Sequence, residues 1–426
     1  MSPIPTDAAS LWKASASPLK LSQMFSPGSS YDVVIVGGGF TGLSTALELA
    51  ERDIKAVVLE AGPIGVGASG LNNGQVIPGL KHDPEELVAK FGPEMGERLI
   101  ALSQGAADTV YSYIERFGID CALRRNGWIQ AAHSDRALAT VMARAEALAR
   151  LGAPVRILTR QAVSDCTGTK RYHGGWVDTR AATINPLAYT RGLAQAAIGL
   201  GAQIFENTPV VGLDRRGPHW HVETKRGTVL AERVVIATNA YSDALWPKLS
   251  RTILPVTSLQ VATRPLGKAG AHIVPGGECV SETRKLAFAF RRDPEGRLVI
   301  AGRGPILTER SDGLFERVRV AFERMFPGVD LEPEYKWIGR LALTMDGLPH
   351  LHEPVPGVLI ALGYNGRGVA MASTMGGVIA KRIAGANRDD FPVTPLKPIL
   401  WHSFRRPIMA VGVSYYWMKD SLGINS

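Results

Sequence analysis

The chain has 426 residues, with 48 Lys+Arg against 39 Asp+Glu for a net charge of +9, and 45% hydrophobic residues. At roughly 100–200 residues per domain this suffices for two or three domains around a large core. It excludes a disordered chain, a collagen-like chain and a disulfide-stapled module. The positive charge is 34 Arg and 14 Lys, scattered in runs of no more than two such as Arg124-Arg125 and Arg405-Arg406. That pattern is a solvated basic surface rather than the stripe of a nucleic-acid binder, so no nucleic-acid partner is expected. Cys121, Cys166 and Cys279 lie far apart without a CxxC pair, which fits a reducing cytosol and leaves no zinc or thiol-redox motif. No stretch reaches the ~18–20 apolar residues of a membrane span. Residues 1–30 hold two Lys and no apolar run, so no secretory signal is expected.

In chain order, residues 1–30 are rich in Ser, Pro and Ala and read as an extended arm, with Trp12 packing onto the body. Tyr31–Val36 reads as a buried parallel strand, Leu43, Ala46, Leu47 and Ala50 as the apolar face of a helix, and Lys55–Glu60 as a second strand. Together they make a βαβ unit. Helices are expected over 85–117 and 133–151, then from Leu187 to Gly201 into a strand at Ala202–Phe205. A hairpin follows at His219–Thr224 and Thr228–Leu230, and Val234–Thr238 returns to the central sheet. Residues 255–335 alternate strand-like pieces with a helix near Gly313–Phe326. Val358–Leu362 is another buried strand, ended by the glycine turn GYNGRG and followed by a helix to about Gly385. Beyond Pro392, Pro395 and Pro398 comes a tail with Trp401, Tyr415, Tyr416 and Trp417.

The main chemical signal is Gly37-Gly38-Gly39-Phe40-Thr41-Gly42, a G-x-G-x-x-G between a strand and a helix. Gly37 permits the tight turn, Gly39 the approach of a pyrophosphate, and Gly42 close helix–strand packing. The helix N-terminus then offers N–H groups and partial positive charge to phosphates. Glu60, 18 residues after Gly42, ends the second strand where a carboxylate accepts from ribose hydroxyls. Only one such fingerprint exists, because Gly302-Arg303-Gly304-Pro305 lacks the third glycine. One site means either a nicotinamide enzyme or a flavin enzyme reduced directly by its substrate.

Past Glu60 the stretch Gly65–Val76, GVGASGLNNGQV, resembles the flavin loop of the D-amino-acid-oxidase-like FAD-dependent oxidoreductases. It is most similar to the gamma-glutamylputrescine oxidase branch, whose usual form is GASGRNGGQV. Leu71 and Asn73 depart from that form. The resemblance continues at Ala237–Ser242, Lys336–Leu351, Gly363–Ala372 and Phe391–Pro407, and so spans residues 31 to about 420.

The resemblance implies FAD held by Gly37, Gly39, Phe40, Thr41, Gly42, Glu60, Ala61, Ala68, Ser69, Asn72, Asn73, Gly74, Gln75, Val210, Gly339, Gly363, Asn365, Gly366, Arg367, Gly368 and Val369. The late helix N-terminus would face the edge of the ring that becomes negative on reduction, with the dipole logic of an oxyanion hole. Arg367 adds a full charge toward flavin or substrate. Arg291 falls where the branch has a strand arginine facing substrate, an arginine fork suiting a carboxylate, and His350 is a third candidate catalytic residue. Gly339–Thr344 holds no cysteine, so the FAD is expected to be noncovalent. Ala370 stands where some relatives place a carboxylate-binding lysine, and no lysine matches the oxygen-activating one near Arg297–Gly302. His219-x-His221 and His350-x-His352 lack further ligands, so no metal site is expected.

The expected fold is α/β: a Rossmann-like FAD-binding domain of discontinuous segments plus an antiparallel-sheet substrate domain. The division is an arm at 1–30, an FAD-binding domain at 31–85, 175–254 and 336–390, a substrate domain at 86–174 and 255–335, and a tail at 391–426. The implied activity is oxidation of a CH–NH bond of an amine or amino-acid-type substrate to an imine by hydride transfer to flavin N5, with a secondary amine or gamma-glutamylated polyamine as first choice. The alternatives are a D-amino-acid dehydrogenase or other amino-acid oxidase of the same fold, and a flavin-binding subunit inactive alone. The electron acceptor is oxygen or a respiratory carrier. The expected location is cytoplasmic, with the aromatic and basic tail as a point of peripheral contact with the inner membrane.

Overall fold

A computed structural model describes residues 10–304, 312–385 and 390–421. Residues 1–9 of the arm, 386–389 and 422–426 of the tail lie outside the described residues, as does the side chain of Trp417. Two eight-stranded sheets organise the chain. The first runs His350–Val355, Val358–Leu362, Gly227–Ile236, Ser30–Val36, Ala56–Leu59, Gln203–Phe205, with the strands from Val358–Leu362 onward parallel. Its runs of Val and Ile are buried on both faces, as a parallel sheet covered on both sides requires. Ser30–Val36 pairs with Ala56–Leu59 on one side and with Gly227–Ile236 on the other, so the strand order runs outward in both directions from it and the glycine turn at its carboxyl end sits at a topological switch point. The hairpin Val210–Arg216 and His219–Thr224 hangs from Gly227–Ile236, which forms one continuous strand where two were expected.

The second sheet runs Pro333–Leu343, Leu254–Thr263, Leu298–Arg303, Ala289–Arg292, Cys279–Glu282, Trp128–Ala132, Gly174–Asp178, Val155–Leu158. Every pair is antiparallel except Cys279–Glu282 with Trp128–Ala132. Gly174–Asp178 and Pro333–Leu343 belong to this sheet, so residues 175–178 and 336–343 run with it and not with the first sheet, where the sequence-based division puts them. Conversely, helices Pro84–Gln104 and Ala106–Arg116 pack Leu87, Leu99, Val110 and Tyr113 into the core beside the first sheet. The expected single helix over 85–117 breaks at Gly105, whose backbone caps one helix and opens the next.

The arm is not wholly extended. Ser10 caps a one-turn helix Leu11–Ser15, with its hydroxyl accepting from Lys13 N at 3.1 Å, and Trp12 is 2% exposed against Trp337. In the tail, helix Arg405–Ser421 carries exposed Ile408, Val411, Tyr415 and Met418. Among the described residues no helix is long and apolar enough to cross a membrane, and no group of His, Cys, Asp and Glu is arranged to hold a metal.

Candidate active site

The opening helix Phe40–Ala50 starts at Gly39 directly beyond the first strand. A Cβ on Gly42 would lie 1.9 Å from the Gly37 carbonyl oxygen, so the turn closes only because that position has no side chain. Two side chains hold the turn from outside. Glu60 accepts from Gly38 N at 2.6 Å and Gly62 N at 3.0 Å, and Ser69 Oγ accepts from Phe40 N at 2.9 Å. Burial pushes the Glu60 carboxyl above its ordinary value, against the pull of these backbone donors.

The loop after Glu60 is gripped by three consecutive carbonyls. Leu71 O accepts from Trp337 Nε1 at 3.0 Å, Asn72 O from Trp12 Nε1 at 2.8 Å, and Asn73 O from Arg291 Nε at 2.7 Å. The donors come from the second sheet, the N-terminal helix and the second sheet again. Asn73 also donates from Nδ2 to Gln260 Oε1 at 3.2 Å, which leaves its buried Oδ1 without a partner.

The late glycine turn is a third piece. Asn365 adopts φ +52° and accepts at Oδ1 from Thr344 N at 3.0 Å, while its Nδ2 donates to Thr344 Oγ1 at 3.0 Å and to Gly363 O. Gly363 N donates to Asn239 Oδ1 at 2.9 Å. The Tyr364 hydroxyl lies 2.6 Å from Thr41 Oγ1, tying this turn to the opening helix. Arg367 precedes helix Gly368–Ile383 and stacks on Trp128 of the second sheet, 4.5 Å from the ring centroid. Burial and the Arg144 charge lower its pKa from the ordinary arginine value, and its buried Nη1 has no hydrogen-bond partner among the described residues.

These pieces line one cavity of about 1250 Å³, above the ~300–1,000 Å³ that holds a single small ligand. Of the sequence-derived candidates, all but Gly42, Gly74, Gly363, Arg291 and His350 line it. Gly42 and Gly363 shape the turns behind the wall. Gly74, at φ +75°, makes room for Arg291, because a Cβ there would lie 2.8 Å from the guanidinium. Arg291 itself needs correcting. It is 2% exposed, and Nη2 donates to Ile184 O at 2.8 Å, so its guanidinium fastens the loop instead of facing the cavity. His350 is likewise elsewhere, bonded to Asp346 at 3.0 Å and packed against His352.

The roof of the cavity went unread in the sequence. Strand register places Gln130, Ser281, Ala289, Ala301 and Gln260 in one cross-strand row of the second sheet, and all five line the cavity. Small residues occupy the centre of the row and amides its ends. Lys81, Arg144 and Lys285 also line the cavity and were not singled out by any motif. The orphaned Asn73 Oδ1 and Arg367 Nη1, the glycine cradle and the volume all fit a bound dinucleotide with room for a small substrate.

Comparison with known proteins agrees. The chain is 32% identical over 367 residues to a probable oxidoreductase OrdL of Haemophilus influenzae, covering 83% of each chain. It is 31% identical over 401 residues to gamma-glutamylputrescine oxidoreductase of Escherichia coli, covering 92% of this chain and 93% of that one. Its fold is similar to the crystal structure of glycine oxidase from Geobacillus kaustophilus, with a TM-score of 0.72, 24% identity, and coverage of 87% of this chain and 99% of that chain. Its residues 32–382 match the FAD dependent oxidoreductase family, and the chain belongs to that family as an FAD-dependent oxidoreductase related to amine and amino-acid oxidases.

Proposed function

We propose that the protein oxidises the CH–NH bond of an amine of the amino-acid type to an imine, using noncovalently held FAD. The observation that carries this reading is the roof row. Gln130, Ser281, Ala289, Ala301 and Gln260 contain no titratable side chain. Such a wall offers room, orientation and neutral hydrogen bonds but no proton relay, which leaves the hard chemistry to a cofactor. When bound, FAD supplies the acceptor for the hydride.

The chain's own residues then bind and orient. Glu60 takes the ribose hydroxyls, and the Phe40–Ala50 N-terminus takes the pyrophosphate. The 68–75 loop and the late turn take the ring, with the dipole of helix Gly368–Ile383 favouring negative charge there. Orienting the donor carbon at the ring supplies several kcal/mol of barrier lowering, about 7–11 at the limit. Among the described residues that line the cavity there is no Cys or His, which supports noncovalent attachment. The unpaired cysteines fit a reducing compartment, and the exposed apolar and basic tail helix supports peripheral contact with an anionic membrane.

The test is an anaerobic screen of amines against the purified yellow protein. Bleaching by at least one amine, and release of FAD into the supernatant on acid precipitation, are the expected results. Colour kept in the pellet overturns noncovalent binding, and bleaching by no amine overturns the activity. Peroxide yield with and without a dye then separates oxygen from a respiratory carrier as acceptor. Flotation with anionic vesicles, lost on truncation before Leu400, tests the tail.

A further inference from the structure

The cavity has an end whose charges are not balanced. Lys81 lies on the segment between the strand Gln75–Val76 and the helix Pro84–Gln104. It is exposed, lines the cavity, and makes no hydrogen bond or ion pair to a described residue. The chain presents it deliberately. Arg144, from helix Asp135–Arg150, donates through Nη2 to Leu80 O at 2.7 Å and His82 O at 3.3 Å, gripping the backbone on both sides of Lys81. Arg144 is itself matched by Asp83 at 3.3 Å. Desolvation between the cavity walls, and after it the charges of Arg367, Arg144 and Lys285, all cationic, pull its pKa down to about 8. Arg367 is fixed over Trp128 with Nη1 unpartnered, and Lys285 has no ion pair among the described residues.

The carboxylates Asp83, Glu86 and Glu282 also line the cavity, but they are engaged by Arg144, by the Asp83 N–H and by Arg284 respectively. Lys81, Arg367 and Lys285 are left without an ion-pair partner among the described residues and repel one another, so the fold tolerates them where an anion is to be bound. The pyrophosphate does not answer to them, since its cradle is at the opening helix with Glu60 and Ser69. One carboxylate would also leave two of the three charges unmet. We infer that Lys81, Arg367 and Lys285 form a dianion subsite at the Trp128 end of the cavity, and that the substrate is an amine carrying two carboxylates. Arg144 is a positioning residue for Lys81. The inference rests on the amine-oxidation reading, and it turns the substrate away from polyamines, whose free ammonium would meet like charge.

The test uses the flavin-loaded protein. Glutarate and acetate, which carry no oxidisable amine, are titrated while the visible flavin spectrum is followed, and N-methylglutamate, N-methylalanine and putrescine are compared in anaerobic bleaching. Glutarate is expected to bind about tenfold or more tightly than acetate, the worth of one charge-assisted contact. Lys81→Met is expected to lose about that factor for glutarate with little change for acetate, and Lys81→Arg to recover most of it. N-methylglutamate is expected to bleach fastest. Glutarate no tighter than acetate, an affinity indifferent to Lys81→Met, or putrescine as the fastest amine would each overturn the subsite. If no amine bleaches the flavin while glutarate still binds through Lys81, the subsite stands and the oxidation reading falls.

Discussion

The two ends of the cavity are built on opposite principles. At the glycine cradle the polar groups are paired within the protein: Gly38 and Gly62 to Glu60, Phe40 to Ser69, Thr41 to Tyr364. At the Trp128 end they are left open, in Lys81, Lys285 and the Nη1 atom of Arg367. Of these only the Arg367 Nη1 atom is buried; such a group without a partner costs roughly 1–3 kcal/mol, so it persists where a ligand completes it. The paired end holds a shape, and the open end reads a charge. Mutations should therefore act on cofactor retention and stability at the first, and on ligand selectivity at the second.

The sharpest break of this contrast is Gly42→Val. With the Gly37 oxygen 1.9 Å from the new Cβ, the helix must move off the turn. Overpacking of this kind typically costs about 1–3 kcal/mol, and more where backbone meets backbone. The expected outcome is a protein purified nearly colourless, measured as flavin absorbance per protein. Normal flavin content would show that the cradle does not depend on this close approach. Next is Arg291→Met, which leaves the Asn73 and Ile184 carbonyls buried and unpaired. It is expected to cost about 2–4 kcal/mol in denaturant unfolding, and Lys is not expected to rescue it because one ammonium lacks the arginine fork. A variant of normal stability whose selectivity changes would return Arg291 to the substrate side.

At the open end the signature is pH. Lys81 has a pKa lowered to about 8, and a bound dianion stabilises its protonated form. Glutarate affinity should hold steady below pH 8 and fall above it, approaching tenfold per pH unit, until the pKa of the complex is reached. Arg367, whose own pKa burial lowers to about 9, titrates next, so the window that isolates Lys81 lies between about pH 8 and 9. The slope should vanish in Lys81→Met. A slope that survives the substitution assigns the titration to another group.

The same contrast explains what the sequence disclosed. The cradle is local: strand, three glycines, helix and Glu60 fall within thirty residues, and each glycine is needed by a close contact that spacing alone reveals. The roof is not local. Gln130, Ser281, Ala289, Ala301 and Gln260 come from five strands, and only their register makes them neighbours. Nothing about Lys81 marks it in sequence, because its meaning depends on Arg144 gripping the carbonyls beside it. Arg291 was misplaced for a related reason. Alternation assigns it the same face as Ala289, but not how far a long side chain reaches under that face, and the room left by Gly74 lets it end on backbone. His350 lies on a strand shortly before the late glycine turn in sequence, but Asp346, four residues earlier, holds its ring away from the cavity.

The smallest expected effect tests whether the paired end acts as one unit. Tyr364 and Thr41 are 323 residues apart and share a buried hydroxyl contact of 2.6 Å. Burial pushes the Tyr364 phenol well above its ordinary range, so it stays neutral and able to donate at any working pH. Tyr364→Phe and Thr41→Val each remove one partner, and each should cost about 0.5–1.5 kcal/mol. If the contact serves only to hold the fold, that cost appears in denaturant unfolding of the flavin-free protein, with FAD affinity unchanged. If the two glycine turns clasp the cofactor together, the cost appears in FAD affinity as a weakening of about two- to tenfold, and the double variant is no worse than either single one because the interaction is already gone. The second outcome is the expected one, since both residues line the cavity as well as each other.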